Sequence, residues 1–220
     1  MTTGAIPPVV TASSLLPPHS PSKAGGSIHL LQGPLRYYHY GIDGFADFGW
    51  GCGYRTVQSM FSWLSVGAPP SIPDIQEILA RAHPDAYAGK RGWIGVADAV
   101  IILDVMLGAP LAVWDLKSGA EISRLLPELA VHFDTGGGPI MIGGGSDVYS
   151  KTLVGVFDGG CTHASALLIW DPHYPGKASL TSDVQELWDN GWVAWKSLDT
   201  LRADSFYNLG LVRRASSVGS

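Results

Sequence analysis

This sequence has little cysteine, little charge and no long apolar run, and each shortage closes off a class of function. Two cysteines, Cys52 and Cys161, in 220 residues are too few for a disulfide framework. Charged residues make up 15%, against roughly 25% in an average globular domain. The net charge is -5, and no cluster of Lys or Arg is denser than Lys90-Arg91 or Arg213-Arg214. That argues against a nucleic-acid partner, which calls for a basic face. The longest strongly apolar run, Val100 to Leu103, stops at Asp104, far short of the roughly 18 residues a membrane span needs. No basic stretch followed by an apolar core opens the chain, so no secretory leader is expected. The expectation is a soluble, cytoplasmic protein in a reducing compartment, where a thiol stays usable.

What is present is enough for a core: 46% of the residues are hydrophobic. Residues 1–30 are rich in Pro and Ser, with Pro7-Pro8, Pro17-Pro18 and Pro21 opposing helix; they read as a flexible arm. Residues 31–220 read as one folded domain. A helix is expected from Cys52 onward, with Val57, Met60, Phe61 and Leu64 on one buried stripe. A second follows Ser71, a third covers about 96–107 and closes at Gly108, and a fourth starts at Ser118, where Glu121 completes capping-box spacing. The second half changes character. Residues 139–142, 153–157, 164–170, 193–198 and 206–212 read as strands, interrupted by a short helix near 182–188. Helices first and strands later imply an α+β fold, with a helical layer packed on an antiparallel sheet.

Cys52 sits in Gly49-Trp50-Gly51-Cys52-Gly53-Tyr54-Arg55. A thiol on the first turn of a helix faces the partial positive charge there, which favours thiolate. The first-turn N–H groups also suit an oxyanion. The flanking glycines are expected to let a substrate chain approach. The alternative is a buried structural cysteine, a common fate for this residue.

Asp171-Pro172-His173 follows an apolar strand. Alternate strand residues share a face, so Asp171 and His173 are expected side by side, with Pro172 stiffening the pair. The roles fit a nucleophile, base and orienter: Cys52, His173 and Asp171. Alone, Asp-Pro-His is a weak signal, because Asp-Pro also opens ordinary turns.

Together, Tyr38-His39-Tyr40-Gly41, the Cys52 segment, Trp93-Ile94-Gly95, Pro139-Ile140-Met141-Ile142-Gly143-Gly144 and Asp171-Pro172-His173-Tyr174 resemble the ubiquitin-fold modifier-specific proteases. The resemblance spans residues 35–200 and excludes the N-terminal arm; the short N-terminus is similar to the smaller, single-domain members. It implies a papain-like cysteine protease that cleaves after the C-terminal glycine of a ubiquitin-fold modifier, its expected partner. Precursor maturation, release from lysine side chains, or both would follow. It also implies a tyrosine upstream of the cysteine that donates to the oxyanion. Tyr40 fits by spacing, with Tyr38 the rival and Tyr37 a remoter one. No metal or organic cofactor is expected, and a monomer is the default. The autophagy-related cysteine proteases share Trp-Gly-Cys and Asp-Pro-His and act on a different modifier; Tyr54 and Tyr174 favour the first family. A non-catalytic modifier-binding protein of the same fold is the other alternative.

Three further signals are weighed. Residues 145–152 resemble a phosphate-binding loop, but Ser150 replaces the glycine before Lys151 and a strand follows instead of a helix. Cys161 and His163 lack the paired spacing of a metal site and read as a turn. Trp50 and Trp93 stand beside glycines and are expected to wall a narrow slot for a Gly-ended substrate tail, although core packing is the likelier role of Trp93 taken alone.

Overall fold

The computed structural model describes residues 6–21, 25–65, 67–83, 87, 89–146, 150–160, 164–176 and 184–214. In chain order the strands are β1 (Val9–Thr11), β2 (Ser27–Leu30), β3 (Pro34–Arg36), β4 (Leu111–Leu116), β5 (Gly137–Gly144), β6 (Lys151–Asp158), β7 (Ala166–Trp170), β8 (Val193–Ser197) and β9 (Tyr207–Arg213). The α-helices are α1 (Cys52–Leu64), α2 (Ile72–Ala82), α3 (Val96–Leu107), α4 (Leu126–Asp134) and α5 (Val184–Asp189). The main path of a seven-stranded antiparallel sheet is β4-β9-β5-β6-β7-β8, and β2 is the seventh strand. β2 joins it by pairing Ser27–Leu30 with the second half of β6, leaving the first half to β5. The fold is α+β: α1 packs across β5 and β6 in the described core. No helix among the described residues is long and apolar enough to cross a membrane.

α1 starts at Cys52, as its pattern predicts, but it is buried all round rather than along one stripe. β3 flanks it on one side and α3 on another. Its polar residues are therefore committed to hydrogen bonds, as burial requires. Gln58 Nε2 donates to the Pro70 carbonyl at 2.8 Å, and Ser59 Oγ accepts from Tyr38 N at 3.0 Å. Leu64, expected in the stripe, is only half-buried.

α2 opens with a capping box. Ser71 Oγ accepts from Asp74 N, and Asp74 returns a carboxylate oxygen to Ser71 N at 2.9 Å. Such a cap contributes about 1 kcal/mol. α3 ends on Gly108 at φ 58°, a left-handed position that suits glycine. The helix expected from Ser118 begins instead as a 3-10 turn over Gly119–Leu125 and becomes α-helical at Leu126. Gly119 lies hard against the Leu201–Arg202 backbone, where a Cβ would sit 2.5 Å from Leu201. β4 has no counterpart in the sequence reading. Its Ala112 and Val113 are exposed on an open edge, so the apolar alternation of a half-buried strand is missing.

The flexible-arm expectation for residues 1–30 differs from what the structure describes of that stretch. β1 pairs with β3, Ala12 and Leu15 are buried, and β2 belongs to the main sheet. Trp188 Nε1 donates to the Leu15 carbonyl at 3.1 Å, and Trp195 Nε1 to Ser20 Oγ at 3.0 Å. The prolines that exclude helix are compatible with an extended strap. Local composition does not reveal the tryptophans that receive it.

Candidate active site

The chain enters α1 through a loop, residues 41–51, built around Arg55. Arg55 is wholly buried in the first turns of α1. Its Nε donates to Asp47 Oδ2 at 2.8 Å, and its terminal nitrogens reach Asp43 at 2.7 and 2.9 Å. Burial pushes the guanidinium down, but Asp43 and Asp47 more than offset this and hold it above its ordinary value. Asp47 also ties the loop to itself. Its Oδ1 accepts from Gly41 N at 2.8 Å, and its carbonyl accepts from Gly51 N at 2.8 Å.

This packing corrects the expectation for the glycines beside the thiol. A Cβ on Gly51 would lie 2.3 Å from Asp47 Oδ2, and one on Gly53 would lie 2.4 Å from the Ile94 carbonyl oxygen. Both glycines make room for the protein's own loop and for the chain entering α3, not for a substrate.

Asp171 and His173 are neighbours, but not through strand alternation. β7 ends at Trp170, and residues 171–173 form a turn. Pro172 has no N–H with which to continue the ladder. The Asp171 carboxylate closes the turn by accepting from the His173 backbone at 3.1 Å and from its ring Nδ1 at 2.5 Å. Asp171 is fixed in turn: its N–H donates to the Trp192 carbonyl at 2.7 Å, and the Tyr37 hydroxyl donates to its carbonyl. Tyr40 N donates to the Pro172 carbonyl at 2.9 Å, which joins the segment before the nucleophile loop to the turn. The Tyr40 ring stands edge-on to the His173 ring, with centroids 5.1 Å apart.

With Nδ1 on Asp171, the His173 imidazole also interacts with the Cys52 thiol. Burial pushes the thiol up, but His173, the Ser150 backbone and the Tyr40 hydroxyl more than offset it, and the thiol lies below its ordinary value. Burial pushes His173 down, yet Asp171 and Cys52 carry it up to about 9. Burial raises Asp171, while His173 and Lys151 bring it below the usual carboxylate range. Opposite shifts on thiol and imidazole favour transfer of the thiol proton to the imidazole. Burial and the neighbouring Cys52 raise Tyr40, which stays a neutral phenol able to donate. Its hydroxyl is buried and faces the Cys52 thiol.

The structure thus brings together Cys52, His173, Asp171 and Tyr40, and it separates Tyr40 from its rivals. Tyr37 spends its hydroxyl on Asp171, and Tyr38 lines a different cavity with Ile6, Asp43 and Pro69. Trp93 is 56% exposed, and its Nε1 donates to the Gly49 carbonyl at 3.2 Å, beside the nucleophile loop. Trp50 is instead buried, with its ring edge-on to Phe45 and Tyr54. It faces a cavity with Gln76 and Lys90 that includes neither Cys52 nor His173. The Trp50–Trp93 slot is therefore not formed as expected. Cys161 and His163 lie outside the described residues.

Sequence reasoning missed several neighbours of the site. Phe48 is exposed, with its ring 5.6 Å from that of Tyr40. Lys151 Nζ lies 3.6 Å from Asp171 Oδ2. His39 is buried, and burial lowers it to about 4 despite the carbonyls of Tyr40 and Tyr174, so it sits neutral behind the site. Away from the site, His29 pairs with Asp134 and His132 with the Gly138 carbonyl. The buried ion cluster had a trace in the spacing of Asp43, Asp47 and Arg55, but nothing local distinguishes it from surface charge.

Comparison with known proteins agrees with this geometry. A mouse protein named Ufm1-specific protease 1 is 37% identical over 204 residues, covering 90% of this chain and 90% of the mouse protein. A rice protein named probable Ufm1-specific protease is 38% identical over 89% of this chain, which spans only 32% of that relative's length. The chain likewise spans 44% of a chicken protein named Ufm1-specific protease 2. The crystal structure of UfSP from C. elegans superimposes with a TM-score of 0.75 at 34% identity, covering 87% of this chain and 35% of that one. The papain-like α+β architecture is common to both. The model of peptidase family C78 matches residues 26–210, every member of the Cys52–His173–Asp171 set included, and the chain belongs to that family.

Proposed function

We propose that this chain is a thiol protease that cleaves after the C-terminal glycine of a ubiquitin-fold modifier, to mature its precursor, to release it from lysine side chains, or both. The observation that carries this reading is the alignment of a thiol lowered by His173, an imidazole held by Asp171 at 2.5 Å, and a buried phenol facing the thiol. The names of the relatives supply the substrate class.

In this mechanism the Cys52 thiolate attacks the carbonyl carbon of the terminal glycine. The carbonyl oxygen becomes an oxyanion that accepts from the Tyr40 hydroxyl and the Cys52 N–H. His173, protonated and held by Asp171, gives its proton to the departing amine, leaving a thioester on Cys52. Water then attacks the thioester while His173 takes its proton. The thiolate departs, and the modifier leaves with a free carboxylate. The phenol is buried beside the thiol, so its donor is already desolvated and close to the reacting atoms when the oxyanion forms. The same reading keeps the protein in a reducing, cytoplasmic compartment, where Cys52 stays a thiol.

The test is to incubate the protein with an unprocessed ubiquitin-fold modifier precursor and weigh the product by mass spectrometry, beside Cys52→Ala. Loss of only the residues beyond the terminal glycine, absent in Cys52→Ala, is expected. No change in mass, with Cys52 also blind to a modifier carrying a C-terminal electrophile, overturns the reading in favour of a binding protein.

A further inference from the structure

The Asp171 carboxylate has two cationic neighbours, and the triad accounts for one of them. His173 takes Oδ1, while Lys151 Nζ lies 3.6 Å from Oδ2. Lys151 is the first residue of β6, and the pairing of Thr152 with Trp170 sets that end of β6 beside the turn that carries Asp171. The preceding residue is tied to the nucleophile's helix. Ser150 Oγ donates to Thr56 Oγ1 at 3.3 Å, and the Ser150 backbone faces the Cys52 thiol. Two adjacent residues therefore reach opposite ends of the thiol–imidazole–carboxylate line. Lys151 also borders a small cavity, about 130 Å³, with Ile142, Leu167 and Ile169. Apolar walls of that kind accept an aliphatic stem and set its direction.

We propose that Lys151 is a positioning residue for the thiol chemistry: its ammonium engages Oδ2 of Asp171, keeps Oδ1 on His173, and limits how firmly the imidazolium holds its proton. The inference rests on the thiol-protease reading above. The Lys151 ammonium stands on the same carboxylate as the imidazolium and repels its positive charge. Without Lys151 that repulsion is gone, so the imidazolium persists to higher pH. The carboxylate also gains freedom to turn, and catalysis is sensitive to such misalignment. The other titratable groups around the pair are Cys52 and Tyr40 beside His173, Tyr37 on the Asp171 carbonyl, Lys196 across the cavity, and Tyr174 with Glu186 behind the turn. A substitution at 151 leaves all of them in place.

The test compares Lys151→Met, which keeps the stem, with Lys151→Arg, which keeps the charge. The readouts are the pH dependence of kcat/KM on a modifier precursor and the pH dependence of Cys52 alkylation by iodoacetamide. Lys151→Met is expected to move the alkaline limb of kcat/KM up by about half to one pH unit. It is also expected to lower kcat roughly tenfold with KM little changed, and Lys151→Arg is expected to recover both. An alkaline limb that stays put in Lys151→Met, whether or not the melting temperature falls, overturns the inference and leaves an ordinary ion pair. Wild-type alkylation that follows a free thiol, near pH ~8.5, breaks the thiol-protease reading itself. The two failures are thus told apart within one data set.

Discussion

At the scale of single residues, the site is distinguished by where each buried hydroxyl and ring nitrogen points. Tyr37 and Tyr40 are both buried tyrosines near Asp171 or His173, yet Tyr37 gives its hydroxyl to the Asp171 carbonyl while Tyr40 turns its hydroxyl to the Cys52 thiol. Tyr40→Phe is expected to lower kcat by about 10²–10³ with little change in KM; steady-state kinetics on a precursor would show it, and an unchanged kcat would remove Tyr40 from the mechanism. The pH response follows from the shifts on the other two groups. Cys52 lies below its ordinary value, so activity extends below the free-thiol range on the acid side. His173 lies at about 9, so activity falls as the pH rises through that value and the imidazolium is lost. A kcat/KM profile centred on the ordinary histidine value would contradict the pair. Cys52, Asp171 and His173 were legible in the sequence because each stands in a local motif. Lys151 was not: its meaning depends on a pairing between β6 and β7 that no short window contains. Trp50 and Trp93 show the same limit. Both stand beside glycines, yet one is core and the other faces solvent.

At the scale of elements, the boundaries were legible where a cap or a breaker is local. Ser71 opens α2, Gly108 closes α3, and Cys52 starts α1. What the sequence hid was how completely α1 is enclosed, and what holds the loop ahead of it. That loop depends on the Asp43–Arg55–Asp47 cluster. Arg55→Met is expected to cost about 3–5 kcal/mol, because it strands the fully buried Asp47 carboxylate without a counter-charge. Urea denaturation would measure it. A loss below about 1 kcal/mol would mean that the loop is held by its backbone contacts alone. The glycines next to Cys52 belong to the same account, since each faces a neighbour that is distant in sequence or hidden in a turn.

For the whole molecule, sequence order already placed helices in the first half and most strands in the second, and the α+β class followed. The exception is the N-terminal stretch. Its prolines excluded helix correctly, but composition does not show that Leu15 is buried or that Trp188 and Trp195 meet the strap. Leu15→Ala is expected to destabilise the fold by about 2–5 kcal/mol. A thermal or chemical melt unchanged by the substitution would return the strap to the standing of a loose arm.

The two borders of the sheet are unlike. Against β8 lie Pro17 and Pro18, residues that offer little backbone donor capacity to an incoming strand. Among the described residues β4 pairs only with β9, and Ala112 and Val113 are exposed along this edge strand. Asp115, exposed and bonded to Asn208, is the one charge along that border. At high concentration this border of β4 is therefore where a second molecule would add a strand, and Asp115 is the charge on β4 that opposes it.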